Sequence, residues 1–312
     1  MKTTAVEPCD LQASVIAVPP LARNPDLSLN ENENRALIRH LELGGVRSLM
    51  YGGNANFYNL PISEYARTLD FLAEAVGKDT WLLPSAGPDY GRLLDQAALL
   101  RERAFPTAMV LPSQFPSTDA GVATAIRRFA ERLQKPVVVY VKADNQISVE
   151  ALGRLAEDGL LCSIKYATVR HDPAIDAYLT RLVERIGTDL LVSGIGERPA
   201  IVHWKKFGIR AFTSGSVCVA PRSSMRLLAL LKRSAYGEAE ALRASFLPLE
   251  DCRDQLGPIR VLHDAVTLAG IADMGPILPL LSNLEAPERA RVTPAARALL
   301  GLDRALLEER AA

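Results

Sequence analysis

Short apolar, β-branched runs alternate along the chain with segments whose apolar residues recur every three or four positions, at intervals of about twenty to thirty residues. That rhythm is what βα units around a parallel sheet produce. Eight runs read as strands: SVIAVPP from Ser14, RSLMYGG from Arg47, TWLLPSA from Thr80, TAMVLPS from Thr107, PVVVYVK from Pro136, LLCSIKYA from Leu160, LLVSGIG from Leu190 and IRAFTSGS from Ile209. Each leads into a helix-like stretch. Several helices carry start or stop signals: Pro61-Ile-Ser-Glu ahead of an apolar-periodic run, Ser117-Thr-Asp ahead of the fourth helix, and Gly208 behind the seventh. After the eighth strand the sequence stays helical from Pro221 to about Phe246 and from Asp251 to Ile271, then turns through the Pro-rich MGPILPLL.

The first βα turn lacks a GxGxxG phosphate loop, which favours a closed barrel over an open doubly wound sheet. A chain of 312 residues suits one such domain with an extension. The pattern therefore predicts the α/β class: a (β/α)8 TIM barrel over residues 1–222, lead-in included, and a C-terminal helical region over 223–312 packed on it.

Composition narrows the function classes. Apolar residues make up 48% and charged residues 23%, with 36 basic side chains against 36 acidic, so no polyanion-binding surface and no nucleic-acid partner is expected. No stretch approaches the ~20 apolar residues of a membrane span. The N-terminus MKTTAVEPCDLQASVIAVPP has no basic segment followed by a long apolar one. No membrane partner and a cytoplasmic location are expected. The four cysteines, Cys9, Cys162, Cys218 and Cys252, and the four histidines, His40, His171, His203 and His263, show no metal-ligand spacing. Neither a metal nor another cofactor is expected.

In a barrel the chemistry collects where strands end. Lys165 lies in the otherwise apolar run LLCSIKYA, and two-residue alternation puts Leu161, Ser163 and Lys165 on one face. If that face is the interior, burial disfavours the ammonium and leaves a neutral amine, which is what Schiff-base chemistry requires. A strand-end lysine that snorkels to solvent or pairs with a carboxylate satisfies the same pattern. Tyr140 ends the preceding run on the face it shares with Val138, so adjacent strands bring phenol and amine together. A phenol there can move protons during carbinolamine formation and dehydration; a structural tyrosine is the other reading. The turn Tyr51-Gly-Gly-Asn-Ala-Asn-Phe-Tyr-Asn-Leu lets backbone approach a carboxylate closely at Gly52 and Gly53, with Asn54 and Asn56 as further donors.

Taken together, SIKYAT around Lys165 and the VVVY run ending in Tyr140 resemble the dihydrodipicolinate synthase / N-acetylneuraminate lyase superfamily, over roughly residues 12 to 300. Within it the chain looks most like 5-dehydro-4-deoxyglucarate dehydratases. GGNANFYNL is similar to that subgroup's GGTGEFFSL, YVKADNQ to YNRDNA, MGPILPLLSNL to AGPVRPPLTDL and RAFTSGSV to TYSSAV. The resemblance implies a (β/α)8 barrel acting on pyruvate or a sugar-acid derivative, with imine formation on Lys165, acid/base work by Tyr140, and Gly53, Asn54 and Ser214 lining the site. It also implies a homotetramer built from dimers, or a homodimer.

The departures are specific. Gly53-Asn54 stands where the superfamily has a Thr-Thr or Gly-Thr pair, and Asn54 offers an amide but no relaying hydroxyl. Ala55-Asn56 replaces Gly-Glu. Gln114 falls where dihydrodipicolinate synthases donate a tyrosine across a subunit interface, which argues against that activity. Lys142, two residues beyond Tyr140, is placed either to meet a distal carboxylate or as a solvated loop lysine. Glu197 and Arg198 read as an exposed ion pair, and the parity of Cys162 points it to the helix layer. The expectation is a Schiff-base lyase of a 2-oxo acid, foremost a dehydratase of a deoxy-keto sugar acid. Retro-aldol or deaminase chemistry releasing pyruvate, or a non-catalytic binding barrel, are the alternatives.

Overall fold

The computed structural model describes residues 1–113 and 116–311. Gln114 lies outside the described residues. Eight parallel strands form one sheet: β1 (Ile16–Ala17), β2 (Ser48–Tyr51), β3 (Trp81–Ala86), β4 (Met109–Val110), β5 (Val137–Val141), β6 (Leu161–Tyr166), β7 (Leu191–Ser193) and β8 (Thr213–Ser214). Their order is β7-β6-β5-β4-β3-β2-β1-β8. The ends meet where Ser193 N–H donates to Ala211 O at 2.9 Å and Gly196 N–H to Thr213 O at 3.1 Å, so the sheet closes into a barrel. All eight strands fall inside the runs read from the sequence.

A helix follows every strand, as βα units demand: Glu31–Leu43, Ile62–Ala75, Tyr90–Arg101, Asp119–Leu133, Val149–Glu157, Ala177–Ile186, Glu197–Phe207 and Pro221–Lys232. Short polar side chains accept from the exposed first-turn N–H groups. Thr118 accepts from Gly121, Ser148 from Ala151 and Asp176 from Leu179. Gly208, at φ 74°, ends Glu197–Phe207 in the left-handed conformation that a side chain would disfavour.

Residues paired across parallel strands share a face. The register therefore traces one interior layer from Ile16, opposite Ser48 and Thr213, through Met50 and Leu83 to Ser85, Met109 and Val138. Higher up, Tyr140 stands opposite Lys165, which stands opposite Val192. The β5–β6 register slips at its start: Val137 faces Leu161 and Val138 faces Ser163, so Cys162 is passed over. The expected alternation thus runs from Ser163 to Lys165 but does not extend back to Leu161. Cys162 itself hydrogen-bonds Thr107 Oγ1 at 3.3 Å through its thiol, away from the strand ends.

A short helix, Pro8–Ala13, precedes β1, and four more follow the barrel: Tyr236–Ala244, Leu247–Leu256, Pro258–Leu268 and Ala286–Ala311. The latter four enclose an apolar cluster of their own, including Phe246, Leu249, Val261 and Leu299, which reaches the barrel through Val219 and Ala220 after β8. Buried Asp264 joins this region to the Pro-rich turn. Its carboxylate accepts from Asn283 Nδ2 at 2.8 Å, from Leu284 N–H at 2.9 Å and from Arg289 Nη1 at 3.2 Å. No described helix is long and apolar enough to cross a membrane.

Removing those acceptors leaves buried donors unpaired, each at a cost of about 1–3 kcal/mol. Asp264→Ala is therefore expected to lower stability by about 2–4 kcal/mol in urea unfolding, and a change near zero would show that the turn is anchored elsewhere.

Candidate active site

Lys165 is drawn from β6 with 5% of its surface exposed. Its Nζ lies 4.4 Å from the centroid of the Tyr140 ring on β5. Room for the lysine stem comes from Gly194 at the end of β7, where a Cβ would stand 3.0 Å from Lys165 Cγ and 2.7 Å from Tyr166 O. Burial, followed by the charge of Lys142, lowers the Lys165 pKa to about 7. Burial pushes the Tyr140 phenol up to about 12, opposed in part by Arg253. The site thus holds an amine shifted toward its neutral form against a phenol that stays protonated at neutral pH.

Both groups line a cavity of about 500 Å³ at the C-terminal ends of the strands, the end at which barrels build their sites. Gly53, Asn54 and Lys142 line it too, as the sequence predicts. Lys142 is exposed at the rim. Asn54 donates its Nδ2 to Val18 O at 2.9 Å, which fixes the β2 turn against β1.

Three predicted residues do not line the cavity. Gly52 sits inside the barrel wall, where an added Cβ would meet Ser85 Oγ at 2.3 Å and Met109 Cε at 2.8 Å. Its lack of a side chain serves packing. Ser214 lies on the opposite face of β8, where its hydroxyl donates to Glu197 Oε2 at 2.8 Å and accepts from Val217 N–H at 3.0 Å. Thr213 takes the interior face instead and lines the cavity. Alternation along β8, counted from Thr213 opposite Ile16, gives that result directly. Asn56, at φ 54°, turns away as well, donating to Leu278 O at 3.3 Å.

Glu197 is not an exposed partner of Arg198. It is fully buried, accepting from Ser214 and, at 2.6 Å, from Ser224. Burial pushes its carboxyl, and that of the fully buried Glu250, above the ordinary range. Glu250 Oε1 accepts from Glu197 N–H at 3.0 Å and from Arg253 Nη1 at 3.3 Å. Arg253 Nη1 also donates to Ile195 O at 2.8 Å and its side chain lines the cavity. Arg198 pairs instead with Asp251, and with Asp254 at 3.4 Å. A helix of the C-terminal region thereby contributes a wall of the site. Nothing local in the sequence marks Arg253, because its placement depends on long-range packing.

Tyr58, on the 3-10 turn Phe57–Asn59, is a further cavity residue that the sequence reading passed over. Among the described residues no cluster of His, Cys, Asp and Glu could hold a metal ion.

No protein-family model matches the chain, and no curated protein does. Solved structures do. A dihydrodipicolinate synthase from Bacillus clausii matches with a TM-score of 0.83 at 20% identity, over 92% of this chain and 97% of its own. YagE, a prophage protein of the dihydrodipicolinic acid synthase family from E. coli K12 in complex with pyruvate, matches at 0.80 and 18%, over 91% and 98%. An N-acetylneuraminate lyase from Fusobacterium nucleatum matches at 0.78 and 15%, over 93% and 99%. The chain thus has the (β/α)8 fold of proteins bearing the two names that its sequence resembles.

The depressed amine has a consequence for stability. Below about pH 7 both folded and unfolded chains carry the Lys165 proton, so the folded state bears the full cost of a buried ammonium. That cost falls as pH rises from about 7 and is gone above the ordinary value of 10.5. The shift caps it at roughly 4–5 kcal/mol. Lys165→Met should therefore be more stable than the parent in urea at about pH 6.5, with a smaller gain at about pH 9.5. A variant less stable at both would contradict the buried-amine assignment.

Proposed function

We propose that the chain is a Schiff-base-forming lyase of 2-oxo acids, with Lys165 as nucleophile and Tyr140 as its proton-transfer partner. The observation that carries this reading is the Lys165 amine, desolvated to a pKa near 7 and held over the Tyr140 ring at the mouth of a barrel. The neutral amine adds to the C2 carbonyl, one of its protons passes to the oxygen to give the carbinolamine, and Tyr140 then protonates that hydroxyl, which leaves as water. The resulting iminium draws electrons from C3, where proton loss gives an enamine. Loss of a β-hydroxyl from that enamine is dehydration. The lysine supplies the electron sink, so the reaction needs no added cofactor.

The substrate proposed is a deoxy-keto sugar acid, as for the 5-dehydro-4-deoxyglucarate dehydratases that the sequence resembles. Gly53 and Asn54 line the cavity and are the positions proposed to meet the 2-oxo-acid carboxylate, while the exposed Lys142 offers a charge to a distal one. Cleavage of C3–C4 with release of pyruvate is the second outcome open to the same imine, favoured by the likeness to a lyase fold and to a pyruvate-bound neighbour. Dihydrodipicolinate synthesis is not proposed, since Gln114 stands where the resemblance places a tyrosine.

Borohydride reduction in the presence of pyruvate, followed by mass mapping, tests the shared step. An adduct on the peptide carrying Lys165, absent from Lys165→Arg, is expected; an adduct on another lysine, or none, would sink the reading. Replacing pyruvate by the deoxy-keto sugar diacid then separates water loss from pyruvate release.

A further inference from the structure

The proposed imine cycle needs a route by which protons reach and leave Tyr140. The proton taken from C3 returns to the Tyr140 oxygen, so a proton from solvent reaches C3 only if the Tyr140 phenol, held protonated by burial, exchanges with water. Lys165 cannot mediate this while its nitrogen is bound in the imine. Asn54 carries an amide, whose N–H groups donate hydrogen bonds but do not pass protons on, and it is committed to Val18 O. Thr213 faces the cavity, but its hydroxyl is sealed from solvent and has no hydrogen-bond partner among the described residues.

Tyr58 differs on each count. It is half-buried and lines the same cavity as Tyr140 and Lys165. Its ring lies beside Gly53, where a Cβ would stand 3.7 Å from Tyr58 Cε2, in ordinary contact. The turn beneath it is pinned, because Arg92 Nη1 donates to Tyr58 O at 2.7 Å. The hydroxyl itself makes no hydrogen bond with the described residues, so it is free to meet Tyr140, substrate or cavity water. Burial, and next the proximity of Tyr140, raise its pKa, which keeps it a neutral donor.

We propose that Tyr58 is a second proton-transfer group of this site, passing protons between Tyr140 and the water of the cavity; the inference rests on the imine chemistry proposed above. Carbinolamine collapse takes the Tyr140 proton into the departing water and leaves a phenolate. In enamine formation the C3–H electron pair stays on the substrate and the proton returns to Tyr140 oxygen. Tyr58 hands Tyr140 a proton and accepts one from it in the same exchange, then equilibrates with water. Reprotonation of C3 runs the path backwards, so atoms and charge balance and only the identity of the proton changes.

Deuterium exchange into the methyl group of pyruvate reads that path, and borohydride trapping reads imine formation without it. Tyr58→Phe removes the hydroxyl and little else. The variant is expected to trap pyruvate on Lys165 as the parent does, while methyl exchange in D2O, followed by proton NMR, falls at least about tenfold. 3-Fluorotyrosine at position 58, which keeps an acidic hydroxyl, should retain exchange. Exchange by Tyr58→Phe within about twofold of the parent would overturn the relay while leaving the imine standing. Loss of trapping in Tyr58→Phe, or failure of 3-fluorotyrosine to sustain exchange, would overturn it also. A parent that neither traps nor exchanges would bring down the imine reading itself, and the relay with it.

Discussion

The Lys165 amine lies over the face of the Tyr140 ring in the closed mouth of the barrel, where no carboxylate among the described residues pairs with it. Two effects compete there. The ring face favours the ammonium by about 0.5–2 kcal/mol, while desolvation and the nearby Lys142 charge disfavour it. Desolvation, with the Lys142 charge second, lowers the pKa from 10.5 to about 7, a fall that corresponds to more free energy than the ring face offers. An exposed lysine on the same strand would be protonated and inert as a nucleophile. The chemistry therefore depends on the barrel closing around this one side chain.

Much of the surrounding structure serves that closure. Gly194 leaves space for the lysine stem, and Gly52 lets β2 approach Ser85 and Met109. Behind β7 and β8, Glu197 and Glu250 tie Ser214, Ser224 and Arg253 into a buried polar joint between barrel and C-terminal helices. Such a joint is costly unless its groups are paired, and the hydroxyls and guanidinium supply pairing for every carboxylate oxygen but Glu250 Oε2, which makes no hydrogen bond with the described residues. Arg253 then forms part of the cavity wall and acts on the Tyr140 phenol through its charge. The appended helices belong to the architecture of the site.

How much of this was legible in the sequence follows from the range over which each feature is determined. The eight strands and their helices were legible because period, caps and turns are local signals. The Lys165–Tyr140 juxtaposition needed only alternation and adjacency, and it survives although the register slips at Cys162. Ser214 was misplaced because resemblance stood in for parity, and Thr213 faces inward for the reason that Ser214 cannot. Glu197 was read as exposed because a glutamate next to an arginine resembles a surface pair. Its burial is set by residues 17, 27 and 53 positions away, Ser214, Ser224 and Glu250. Tyr58 was passed over because a tyrosine in a turn has no chemistry until the cavity places it.

Titration of the Lys165 side chain itself bears most directly on the account. With lysine ε-carbons labelled and the Lys165 resonance assigned by its loss in Lys165→Arg, carbon NMR across pH should give a midpoint near 7, far below the remaining lysines. A midpoint close to the ordinary 10.5 would mean that the amine is solvated and protonated at neutral pH. The buried nucleophile on which the proposed function rests would then not exist.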